Sequence, residues 1–177
     1  MSRSWISTRR AFLVAIALLC VSCASRSADA QIPLIPKIRL KAGVFVPTNS
    51  SLKDLIGGTW FKVGADITLP LGIPLLSGGT RLGVDYVANG SSNIIPITLT
   101  SIIQPSVGVS SPVYVGGGFG LWTGHIKGKG TSSQLGLRIL GGFDLGKSTF
   151  IEAQYDIVGK LGGVRADGFS VLMGLKF

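Results

Sequence analysis

Apolar and polar residues alternate with a period of two from residue 37 to the end of the chain. No long stretch carries the 3.6-residue period of a helix. The alternation predicts eight strands, near Lys37–Val46, Trp60–Leu69, Thr80–Ala88, Ile94–Gln104, Val113–Trp122, Gln134–Phe143, Thr149–Ile157 and Phe169–Phe177. Turn formers separate them: Pro47-Thr48-Asn49-Ser50-Ser51, Gly78-Gly79, Asn89-Gly90-Ser91-Ser92, Pro105-Ser106, Gly128-Lys129-Gly130, Gly146-Lys147-Ser148 and Gly162-Gly163. Strands of about ten residues, in an even number, suit an antiparallel barrel whose strands run tilted.

The charged residues separate the two faces of these strands. One face carries runs such as Ile38, Leu40, Ala42, Val44, Val46 and Leu135, Leu137, Ile139, Gly141, Phe143, and it holds no charge. The other face holds Lys37, Arg39, Lys41, Lys62, Asp66, Arg81, Asp85, Arg138, Glu152, Asp156 and Lys176. A soluble barrel turns its apolar face inward and a membrane barrel turns it toward lipid. Three features favour lipid. The polar face carries nine glycines (Gly43, Gly64, Gly83, Gly116, Gly118, Gly120, Gly136, Gly142 and Gly174), which make room for long cations in a narrow interior but would only weaken a water-facing sheet. The apolar face has more bulk than an eight-stranded interior holds. Aromatic residues gather toward the strand ends, Trp60, Tyr86, Trp122 and Phe169 toward one rim and Phe143, Phe150 and Phe177 toward the other, as in two interfacial girdles.

Composition refines this picture. The chain has 177 residues, a net charge of +9, 26 glycines and only 14% charged residues. That charge content is well below the roughly 25% of soluble domains and excludes a disordered basic tail. Arg3, Arg9 and Arg10, the apolar run Ala11 to Val21 and the small-x-small triplet Ala28-Asp29-Ala30 predict a signal peptide over residues 1–30. The apolar run is too short for a transmembrane helix. Within residues 1–30, Thr8-Arg9-Arg10-Ala11-Phe12-Leu13 is similar to a twin-arginine export motif, and Cys23 to a lipoprotein acylation site, though Cys20 stands where that site expects Leu. Cleavage after residue 30 leaves 13 basic and 7 acidic residues, a charge of +6, and removes both cysteines, so no disulfide framework is expected. The domain reading is therefore a signal peptide at 1–30, a short segment at 31–36 and a barrel at 37–177.

The stretch Val113-Tyr114-Val115-Gly116-Gly117-Gly118-Phe119-Gly120-Leu121 resembles a central strand of small outer-membrane β-barrel proteins, the OmpA/OmpX-type eight-stranded group. Phe150-Ile151-Glu152-Ala153-Gln154-Tyr155-Asp156, with Gly168 to Phe177, resembles that family's closing hairpin. Terminal Phe177 with Leu175, Met173, Val171 and Phe169 at alternate positions is similar to its assembly signal. The resemblance implies an eight-stranded antiparallel up-and-down transmembrane barrel in the bacterial outer membrane. Outer-membrane lipid, lipopolysaccharide and the barrel assembly machinery would be its partners, and a monomer is expected. The family is functionally mixed, so the resemblance names no activity beyond a structural or surface-interaction role.

The search for chemistry leaves little. His125, the only histidine, has no second histidine or mature cysteine to share a metal with. Ser132 and Ser133 follow it, but no acidic residue in the same loop would orient the imidazole. Gly124-His125-Ile126-Lys127-Gly128-Lys129-Gly130-Thr131 is one residue short of a phosphate loop and is followed by a strand. Gly116-Gly117-Gly118-Phe119-Gly120 lacks the dinucleotide spacing. No catalytic residue, metal, cofactor or nucleic-acid partner is expected. The alternatives are a soluble lipocalin-like barrel for an apolar ligand and an outer-membrane lipid-modifying enzyme.

Two charge groupings remain. The eleven charges of the polar face are expected to pair inside the barrel, because an isolated buried charge costs several kcal/mol. The pairing is expected around Arg81, Arg138, Asp85, Glu152 and Asp156, with Lys37 and Lys176 near the mouth. Lys53, Lys127, Lys129, Lys160 and Arg165 lie in connections that share one side of an up-and-down barrel. If that side is the cell exterior they face lipopolysaccharide phosphates; solvated loop charges are the plain alternative.

Overall fold

The computed structural model describes residues 37–69, 79–104 and 112–177. The expected signal peptide, the segment 31–36 and the turn at Pro105-Ser106 lie outside the described residues. The elements are β1 (Ile38–Pro47), α1 (Ser50–Ile56), β2 (Trp60–Leu69), β3 (Thr80–Asn89), β4 (Ser92–Ile103), β5 (Val113–Ile126), β6 (Gly130–Asp144), β7 (Thr149–Ile157), β8 (Lys160–Leu161), β9 (Val164–Arg165) and β10 (Gly168–Lys176).

Eight of these strands close a barrel in which each sequence neighbour pairs antiparallel, and β10 returns to β1. The closing seam is continuous from Arg39 opposite Lys176 to Pro47 opposite Gly168. Phe177 extends it, since its N–H donates to the Ile38 carbonyl at 2.9 Å and its own carbonyl accepts from Ile38 at 3.2 Å. Closure gives each of the eight barrel strands a partner on both sides. The predicted strands are all present. β5 and β6 run further than the alternation implied, joining as a hairpin with Ile126 opposite Gly130. Gly128 and Gly130 carry φ of 77° and 80° at its tip, where an L side chain would be strained. The phosphate-loop look-alike is therefore a hairpin turn. Pro96 sits inside β4, and the β3–β4 ladder is interrupted between the Val84–Ile97 and Val87–Ile94 pairs, where Pro96 has no N–H to give.

Where Pro47–Ser51 and Gly162-Gly163 predict plain turns, the chain forms α1 and the β8–β9 hairpin. Asn49 caps α1, its side chain accepting from Ser51 N–H at 2.9 Å. Leu52 of α1 is fully buried. The hairpin is held by Asp167, which accepts from the N–H groups of Val158 and Gly159 at 2.8 and 3.1 Å, and by Ser132, which accepts from Gly162 N–H at 2.7 Å.

The apolar face lies outward. Leu40, Val44, Phe61, Val84, Ile97, Phe119, Leu137, Ile139, Val171 and Met173 are among the exposed large apolar residues around the wall. The girdle expectation fails for three members. Trp60, Trp122 and Phe150 are buried inside, because they share the parity of the charged residues. Tyr86, Phe143, Phe169 and Phe177 do face outward.

Candidate functional site

Three layers fill the interior. The end away from the β1 start is apolar: Phe45, Trp60, Val87, Ile94, Trp122 and Ile126 from the barrel wall meet Leu52 of α1 and Leu161 and Val164 of the β8–β9 hairpin. Phe45 and Trp60 pack edge to face with centroids 6.2 Å apart. A lipocalin-like interior would be a hollow lined by the apolar face. Here that face is outside and the inward face carries the charged residues, so this alternative is not the arrangement found.

The middle layer is charged. Arg138 forms a two-point contact with Asp156, Nε to Oδ1 at 2.6 Å and Nη2 to Oδ2 at 3.0 Å, and its Nη1 lies 2.7 Å from Asp85 Oδ2. Such paired contacts are among the strongest a guanidinium makes. Lys41 donates to both oxygens of Asp66 at 2.7 and 2.9 Å and lies 3.4 Å from Asp85. Lys62 donates to Gln154 at 2.7 Å, Ser170 at 3.2 Å and Asp156 at 3.4 Å. Asp85 thus faces three cations, Lys62 being 3.5 Å away. Glu152 is served by Arg81 at 3.4 Å, Tyr114 Oη at 2.9 Å and Gln154 Nε2 at 2.6 Å. Lys41, Lys62, Arg81 and Arg138 stand against Asp66, Asp85, Glu152 and Asp156, and all eight are buried.

Strand register explains how these groups fit. Gly64 is the Cα partner of Asp85 and Gly83 of Asp66. A β-carbon on Gly64 would run into the Asp85 carboxylate, and one on Gly83 into Asp66. Gly142, opposite Glu152, leaves the space that the Tyr114 ring occupies. Asp66, Asp85 and Tyr114 each lie beside a glycine on the next strand, which helps a narrow barrel hold them at close-packed density.

The third layer lies toward the end where β1 begins. Arg39 is buried, donates to Tyr114 Oη at 2.6 Å and stacks on Phe150 with its guanidinium carbon 3.7 Å from the ring centroid. Lys176 pairs with Asp144 at 3.0 Å. Lys37 is exposed there and meets neither Glu152 nor Asp156, which are engaged deeper in. A cavity of about 540 Å³ opens at this end.

Sequence reasoning overlooked Asp144, Tyr114, Gln154 and Ser170. Tyr114, Gln154 and Ser170 share the parity of charged or glycine positions on their own strands, which was the available signal. Asp144 shares the parity of Arg138 and Gly142 but lies one residue beyond the predicted strand end.

The remaining candidates lie elsewhere. Lys53 is on α1, Lys127 and Lys129 are exposed at the β5–β6 tip, and Lys160 and Arg165 are cross-strand partners in β8–β9. Arg165 is bound to Asp167 at 2.9 Å. His125 Nδ1 lies 3.2 Å from Thr131 Oγ1. Ser133 pairs with Thr123, and Ser132 holds Gly162, so neither hydroxyl is placed on the imidazole. Phe169, Val171, Met173, Leu175 and Phe177 form an outward apolar row along β10.

No helix among the described residues is long and apolar enough to cross a membrane, which has no bearing on strands. No family model matches the sequence, and no curated protein matches it. The crystal structure of Neisserial surface protein A is similar in fold, with a TM-score of 0.56, 18% sequence identity, and 80% of this chain and 95% of that chain covered. The chain has the closed eight-stranded antiparallel barrel fold, and the likeness to that surface protein is one of fold.

Proposed function

We propose that this chain is a small integral outer-membrane barrel with a structural or surface-interaction role, exported by its N-terminal signal and monomeric in the bilayer. The observation that carries this reading is the inversion of polarity, with charges inside and an uncharged apolar belt outside. Water would penalise such a belt, whereas hydrocarbon favours it. The eight-stranded fold shared with Neisserial surface protein A supports it. The test is fractionation of the producing cells. The protein is expected in the membrane pellet, resisting salt and alkaline washes and released by detergent; recovery in the soluble fraction overturns the reading.

The interior ion pairs are proposed to serve as a plug, so that the barrel does not conduct. The outward row ending at Phe177 is proposed as the feature read by the barrel assembly machinery. Lys53, Lys127, Lys129 and Lys160, at the end closed by α1 and the β8–β9 hairpin, are proposed to contact lipopolysaccharide phosphates; Arg165 contributes less because Asp167 already engages it. Salt-sensitive binding of lipid A that weakens when Lys127, Lys129 and Lys160 become Gln is the expected result.

A further inference from the structure

The cavity at the β1 end has an unbalanced wall. Lys37, Arg39, Arg81, Lys147 and Lys176 line it, against one lining side-chain carboxylate, Asp144. Asp144 is already shared between Lys176 at 3.0 Å and Arg39 at 3.8 Å. Glu152, the partner of Arg81, is one layer deeper and also bound by Tyr114 and Gln154. Lys37 and Lys147 are exposed and enter no ion pair among the described residues.

Two of these cations are held firmly. Arg39 and Arg81 lie against the same Tyr114 ring, 4.9 and 4.7 Å from its centroid, and Phe150 supports Arg39. Arg39 is 6% exposed, and its Nε is buried without an acceptor. A buried donor left unpaired, among surplus positive charge, costs free energy, and an anion in the cavity offsets the charge part of that cost. Stacked guanidiniums have lost little freedom still to be lost on binding, and their planar donors match phosphate oxygens in pairs.

We propose that this mouth is a binding site for a compact phosphate-bearing anion, held by Arg39, Arg81 and Lys176 with Lys37 and Lys147 at the rim. The inference goes beyond the role proposed above and stands on the cavity, so it does not depend on the membrane reading. The phosphate could belong to a soluble ester or to a lipid headgroup.

The test is calorimetric titration of inorganic pyrophosphate into the full chain refolded in zwitterionic detergent at low salt. One saturable site is expected. The Lys37→Gln/Lys147→Gln variant should bind about tenfold more weakly, the loss expected from removing two nearby charges. Both side chains are at the rim and outside the buried pairs, so the variant should fold as the parent does. An Asp54→Asn variant, which raises the positive charge of the opposite end by one, should bind as the parent does. Absence of saturable binding at millimolar pyrophosphate, or equal affinity in the rim variant, overturns the proposal. So does a change in affinity confined to the opposite-end variant. Repeating the titration in phosphatidylcholine vesicles with and without phosphatidylglycerol identifies the source. Displacement of pyrophosphate by the anionic lipid names a headgroup, and undisturbed binding names a soluble phosphate; both support the site.

Discussion

Asp156 shows what a single residue does inside this barrel. Its carboxylate takes two contacts from Arg138 and one from Lys62, all three groups buried. Asp156→Asn leaves Arg138 and Lys62 with less negative charge than their burial requires. The expected cost is about 3–5 kcal/mol, the range for breaking a buried pair from one side. Urea unfolding from lipid vesicles measures it, and a loss under about 1 kcal/mol would mean that the pair is hydrated rather than buried. On the outer face the sign of polarity reverses. Ile139 is 57% exposed, so Ile139→Arg meets no protein partner and should cost about 2–4 kcal/mol near the middle of a bilayer. Thr98 is 2% exposed and 3.2 Å from Arg138, so Thr98→Arg adds a cation and excess volume to a filled layer and should also be poorly tolerated. The same unfolding measurement in vesicles and in detergent separates the two cases. The Ile139→Arg penalty should shrink in a thin, fluid detergent shell, and the Thr98→Arg penalty should not.

Among the elements, α1 and the β8–β9 hairpin close one end of the barrel by burying Leu52, Leu161 and Val164 against Trp60, Trp122 and Ile126. Neither α1, with seven residues, nor a hairpin of two paired positions would be stable alone in water. Their order must come from this burial. Leu52→Ala is therefore expected to cost about 2–5 kcal/mol of local stability. Amide exchange should report it as faster exchange in α1 and β8–β9 with β2 to β7 unchanged; a uniform change across the barrel would show that the cap is part of the global cooperative unit. β10 differs, since it pairs with both β7 and β1 and closes the ring. Without Phe177 the seam loses its two terminal hydrogen bonds to Ile38. Deleting Phe177 is expected to reduce the membrane-inserted level sharply, and normal levels of the truncated protein in the pellet would remove the assembly role proposed for it.

At the scale of the molecule, two layers cross the interior. An apolar cluster lies at one end and four buried cations and four buried carboxylates lie in the middle, while further cations line the open mouth. An ion crossing the barrel would have to displace both layers. Purified protein in a planar bilayer is expected to give no reproducible conductance. Regular ion-selective openings from intact protein would overturn the plug. Removing the cap through Leu52→Ala alone should not open a path, because the charged layer remains.

The chain by itself determines a great deal of this. Period-two alternation reports which way each side chain points, a local property of the extended backbone, so eight strands and two faces are legible without any tertiary information. Glycines on the parity of the charged positions, such as Gly64 between Lys62 and Asp66 and Gly83 between Arg81 and Asp85, carry the same message. Parity also marks Trp60, Trp122 and Phe150 as inward, against the attraction of reading every terminal aromatic as a girdle. Local pattern does not say which partners meet. Lys62 and Ser170 are 108 residues apart, and Arg39 and Tyr114 are 75 apart; only barrel closure and strand stagger bring them within hydrogen-bonding distance. Nor does it reveal that Asn49 to Ile56 is a capped helix rather than a turn, because so short a helix exists only where a surface waits to bury Leu52. Alternation sorts residues into faces because it is local. Pairing, capping and the charged mouth were decided by the tertiary structure, because each depends on contacts across the closed ring.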